Sequence, residues 1–187
     1  MTDQVAPLTS ANSAALDTLV ELVSSQLADR VEDLGRQGRT LRSLGDLDEL
    51  ATRMVAALPT VHPWDSELGP FYDTNGLSRW LGVTRQALAD RVKRGTLLAC
   101  RTADSHLLYP VLQFDRVGQV RPGVIEAVGI LTRAGADGWA IGTWLTTASV
   151  AFDGESVVDY LVVHHGSSEA TTRVAAAATA DSAAWST

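Results

Sequence analysis

The chain has 187 residues, 45% of them apolar and 20% charged, which excludes a wholly disordered protein and allows one ordinary domain or two or three small ones. Its net charge of −7 is unevenly spread along the chain, so the total is no objection to a nucleic-acid partner. The single cysteine, Cys100, excludes an intrachain disulfide and a multi-cysteine zinc site, and with no apolar run of eighteen residues and no basic-then-apolar leader at Met1-Thr2-Asp3-Gln4, a cytoplasmic protein off the membrane is expected.

The first nine residues have no periodicity and read as a tail. From Ser10 the pattern is helical: Leu16, Leu19, Val20, Val23, Leu27, Val31 and Leu34 recur at three- and four-residue steps, with Leu22 off the stripe. Gly35 and Gly38 close this helix, and Leu47, Leu50, Met54, Val55 and Leu58 predict a second one before Pro59 and Pro63. Two readings stay open for residues 1–60. The helices pack on their own small core, or the near-heptad seam is a dimerisation arm that makes a homodimer.

Residues 61–116 hold the densest signals. A short helix with Leu77, Trp80 and Leu81 turned inward ends at Gly82, which suits the positive φ of a tight turn. Val83 plugs the angle, Thr84 is an N-cap, and Arg85 and Gln86 stand on the open first turn of the next helix. Leu88 and Val92 face the core and Gly95 ends that helix, giving two helices joined by a short glycine turn. Leu97 to Thr102 and His106 to Tyr109 then read as two strands around the turn residues Ala103, Asp104 and Ser105. Charge follows the same segment: residues 74–106 carry Arg79, Arg85, Arg91, Lys93, Arg94 and Arg101 against only Asp90 and Asp104. Exposed charges beyond about 10 Å are largely screened, so double-stranded DNA would meet this stretch locally.

The residues Gly82-Val83-Thr84-Arg85-Gln86, Gly95-Thr96-Leu97 and His106-Leu107-Leu108-Tyr109-Pro110 together resemble the excisionase and MerR-like winged helix-turn-helix family, over about 40 residues. The resemblance implies a sequence-specific DNA-binding regulator whose second helix enters the major groove. Arg85 and Gln86 are then expected at base edges, and Arg79, Thr84, Lys93, Arg94, Arg101 and His106 at phosphates or the flanking minor groove.

In residues 117–187, Pro122-Gly123 opens a helix carrying Val124, Ile125, Val128 and Leu131, and Trp139, Ile141, Trp144 and Leu145 make another. Ser156 is placed to cap a helix through Val162, and an alanine-rich helix follows from about Glu169 to Ala184. The order Trp139-x4-Trp144-Leu145, then Asp153-Gly154-Glu155-Ser156 and Tyr160-Leu161, resembles the toxin-binding domain of Xre-type antitoxins that accompany RES-domain toxins. It implies a protein toxin as partner, an antitoxin role as the alternative function, and contact through the last helix. The fold expected is mainly α: a helical arm, a winged helix-turn-helix with a small hairpin, and a C-terminal helical bundle.

Catalytic motifs are missing: no phosphate-cradling glycine loop, no nucleophile elbow, and His164 and His165 adjacent rather than on one face. No enzyme activity, cofactor or metal is expected. Cys100 reads as a small buried apolar residue, Trp80, Trp139 and Trp144 as core, His62 as exposed, and Trp185 as a candidate partner anchor.

Overall fold

The computed structural model describes residues 10–58 and 65–183. The tail, His62, Trp64, Ala184 and Trp185 lie outside the described residues, as does the expected boundary near residue 60. The chain forms two compact units, divided between Ala51 and Thr52, and it is mainly helical with one small antiparallel sheet. Among the described residues no helix is long and apolar enough to cross a membrane.

In the first unit, helix α1 spans Ser10–Arg36 and runs as its stripe predicts. A turn through Gly38, at φ 68°, ends it, and the Arg39 amide closes on the Leu34 carbonyl. Leu34 is buried, but Leu16, Leu19, Val20 and Val31 stay more than two-fifths exposed. Helix α2, Leu47–Ala56, starts where the Asp46 side chain accepts from the amides of Asp48 and Glu49, and the acids Asp48 and Glu49 suit its positive N-terminal end.

The second unit has one principal apolar core, running from Tyr72 to Ala178, so the helix-turn-helix segment and the C-terminal helices share it. After the short helix α3 (Asp65–Leu68), strand β1 (Phe71–Asp73) leads directly into helix α4 (Thr74–Leu81). Helix α5 spans Arg85–Lys93, and the hairpin is β2 (Cys100–Arg101) and β3 (Leu107–Pro110). The sheet order is β1-β3-β2, with Phe71 opposite Pro110 and Cys100 opposite Leu108. Strand β1 was not expected; it puts β3 in the middle, with Leu108 and Tyr109 buried.

Helices α6 (Pro122–Arg133), α7 (Gly138–Thr146), α8 (Val157–Val163) and α9 (Ser168–Ser182) complete the unit. Side-chain caps from Asp137, Ser156 and Ser167 start the last three, each accepting from the amide three residues on. Helix α9 lies along α6 and buries Ala170, Val174 and Ala178 in the core. These three residues form a packing face, and the helix covers the core on that side, with Ala176 and Ala180 exposed on the other.

Close approaches replace side chains where elements cross. A Cβ at Gly138 would lie 2.0 Å from the Ala99 carbonyl oxygen, so only glycine lets α7 start against β2. Gly138→Ala is expected to cost about 3 kcal/mol by overpacking. A thermal melt checks this, and an unchanged midpoint contradicts it.

Candidate nucleic-acid interface

Helices α4 and α5 are fixed by local chemistry. Asp73 caps α4 by accepting from the Gly76 amide at 2.6 Å. Gly82 ends α4 in the left-handed region, at φ 65° and ψ 31°, which a residue with a Cβ rarely adopts. The turn is locked on both sides: the Val83 amide donates to the Ser78 carbonyl, and the Ser78 hydroxyl donates to the Val83 carbonyl. Thr84 then caps α5 by accepting from the Ala87 amide at 3.1 Å. Leu77 and Leu88 are fully buried where the two helices meet. Tyr72 stacks on Trp80 at 4.7 Å and Phe114 meets the edge of Trp80 at 5.2 Å, which holds α4 against the rest of the unit.

Each expected contact residue can be placed. Arg79, Thr84, Arg85, Gln86, Lys93, Arg94, Arg101 and His106 are all exposed. Arg85 and Gln86 occupy the first turn of α5, next to four backbone amides of which the Thr84 hydroxyl oxygen takes one. Three groups, Gln86, His106 and Arg101, carry internal partners that spacing alone does not reveal. The Gln86 amide donates to Asp90 at 3.0 Å, one turn along α5, leaving its carbonyl oxygen open. His106 Nδ1 lies 2.7 Å from an Asp104 carboxylate oxygen, while the other carboxylate oxygen accepts from the Thr102 hydroxyl. The Thr102 hydroxyl and then the His106 ring hold the Asp104 carboxyl below its usual range. The hairpin tip is therefore a tied turn with Ser105 at φ 68°, and Arg101 donates across it to the Ser105 carbonyl at 3.3 Å.

The C-terminal helices prop this hairpin. The Trp139 indole donates to the Arg101 carbonyl at 2.8 Å, and the Cys100 thiol to the Gly138 carbonyl at 3.4 Å. Trp139 was expected as core; it is half-buried, with its polar edge spent on the hairpin. Burial, and secondarily the Asp137 carboxylate, pushes the Cys100 thiol up to about 12. Its folded value lies above the unfolded one, so the stabilisation is complete below about pH 8.5 and is lost as pH rises toward the folded value. Urea melts at pH 8 and 10 are expected to show a steeper loss in wild type than in Cys100→Ala. Equal losses contradict this.

Gln113 was overlooked in the sequence. It is fully buried, its carbonyl accepts from the Leu98 amide at 2.8 Å, and its amide donates to the carbonyls of Leu98 and Pro110 at 3.0 and 2.9 Å. It ties the chain entering β2 to the end of β3. Gln113→Leu would orphan those backbone groups at a cost of about 2–3 kcal/mol, readable as a lowered denaturation midpoint. Unchanged stability would contradict that role.

Among the described residues no group of three or more metal-ligating side chains comes together. No family model matches the chain, and no curated protein sequence matches it. Among solved structures it is similar to the NMR structure of Rv2175c, at 24% identity over 65% of this chain and 99% of that one, with a TM-score of 0.47. A likeness of that degree carries no functional information.

Proposed function

We propose that this protein is a sequence-specific regulator that binds double-stranded DNA, with α5 in the major groove and the β2–β3 hairpin as its wing. One observation carries the reading: the Thr84-capped start of α5 presents Arg85 and Gln86 to solvent beside a turn locked through Gly82 and Ser78. Arginine matches the two acceptors of guanine, and glutamine matches adenine. Lys93, Arg94, Arg101 and, on α4, Arg79 are exposed cations that would supply phosphate contacts. The Asp104 carboxylate at the wing tip works against phosphate proximity, while the His106 ring beside it offsets that charge when protonated.

Anisotropy titration of a labelled duplex pool tests the reading. Binding that weakens steeply between 50 and 200 mM salt is expected, with a log–log slope of about −0.9 per phosphate contact. No binding at the lower salt would refute it.

One observation favours a second role, as an antitoxin neutralising a RES-type toxin through the C-terminal helices. Val162 and Val163, adjacent at the end of α8, are 53% and 71% exposed, apolar side chains that a partner would cover. Ala170, Val174 and Ala178 are buried, so a contact on α9, where the alanine-rich sequence suggested it, would fall on its outer face, and the exposed valines of α8 offer a second place for it. Val162→Asp with Val163→Asp should abolish co-purification with a co-expressed RES-domain toxin and leave duplex binding intact. Retained co-purification would refute the placement.

A further inference from the structure

The first half of helix α1 keeps an apolar face largely exposed, with Val23 and Leu27 half-buried beyond it, and the charges on that face say what fits it. The helix is 27 residues long, about 40 Å. Val20, Leu27 and Leu34 fall on one line at seven-residue spacing, and Leu16, Val23 and Arg30 on the adjacent line. Leu34 is already covered, whereas Leu16 is 46% and Val20 54% exposed. Arg30 thus interrupts an apolar seam with an exposed cation. Among the described residues no carboxylate pairs with Arg30 and no cation pairs with Asp17, the acid flanking the other end of the seam. Arg36 instead takes Glu32 and Asp33. Asp17 and Arg30 stand about 20 Å apart along one helix, so they cannot meet within a chain.

We infer that α1 pairs with α1 of a second copy in antiparallel orientation, the seam closing over Val20 and Val23 and each Arg30 meeting the partner copy's Asp17. A parallel pair would set Arg30 against Arg30 inside the seam. An antiparallel pair centred between Glu21 and Leu22 layers Leu16 on Leu27 and Val20 on Val23, and places each Arg30 beside Ser13 and one turn from Asp17 of the other copy. The charged position then fixes both orientation and register, the role a single polar seam residue plays in coiled coils. The inference does not depend on the DNA-binding reading, and the product has the two-fold symmetry of most homodimers.

Sedimentation velocity on the full chain, with circular dichroism on each variant, tests it. Wild type should be a dimer at about 10 μM, and Val20→Glu with Leu27→Glu a folded monomer. Asp17→Arg and Arg30→Asp should each weaken the dimer about tenfold or more, and their combination should restore it. A monomeric wild type at about 100 μM would overturn the inference, as would a dimer indifferent to the seam variants. If the double charge exchange fails to restore what the single ones lose, the orientation is wrong.

Discussion

Arg85→Ala should leave the protein folded and still bound to duplex DNA, but with its preference for one base pair reduced by about 1–3 kcal/mol. That is roughly a 5- to 150-fold loss of discrimination. The side chain stands in water on the first turn of α5, so its removal exposes nothing of the core. Gln86→Ala should relax a neighbouring position, with a smaller effect, because binding must first share the Gln86 amide with Asp90. Arg101→Ala should behave differently: all sequences weaken about equally and the salt slope flattens by about one unit. Competition between matched and single-mismatch duplexes separates the two patterns. Arg85→Ala with full discrimination would remove the helix from the groove.

The second large effect lies far from DNA. Val174→Asp should lower the stability of the second unit by about 4 kcal/mol or more, because Val174 is fully buried where α9 lies along α6 and a lone carboxylate there has no partner. For a chain of this size that is a fall in melting temperature of about 10 °C. Removing residues 167–187 takes Ala170, Val174 and Ala178 together and should leave no cooperative transition. A truncated chain that melts like wild type would show that α9 merely rests on the surface, and would reopen its outer alanines as a contact face.

The contrast between these two sites shows which parts of the molecule could be read from residues alone. Helices α4 and α5 were legible because their signals are local: Gly82 for a left-handed turn, Thr84 for a cap, Leu77 and Leu88 for the buried side. Ser156 as the cap of α8 was legible for the same reason. Strand β1 was not, because three residues give no period and its partner β3 lies more than thirty positions away. Gln113 was missed because one amide inside Val111-Leu112-Gln113-Phe114 looks like a surface residue until the strands that it joins are in place. Its one available signal was its position, a polar residue inside an apolar run that leads out of a strand. The alanine-rich helix was legible, but which of its faces is buried was not. Alanine has high helix propensity whatever lies beneath it, so burial by α6 left no mark on the pattern. The ties of Gln86 and His106 to neighbouring carboxylates depend on side-chain geometry rather than spacing.

Selection from a randomised duplex library with the full wild-type chain, followed by sequencing, tests the central claim most directly. The account predicts enrichment of a short element containing guanine beside adenine, repeated in inverted orientation if two copies bind through a two-fold axis. Enrichment should disappear when Arg85 and Gln86 are both replaced by alanine while salt-dependent binding persists. Recovered sequences no different from the starting pool, at a salt where the protein still binds DNA, would contradict sequence-specific reading by α5.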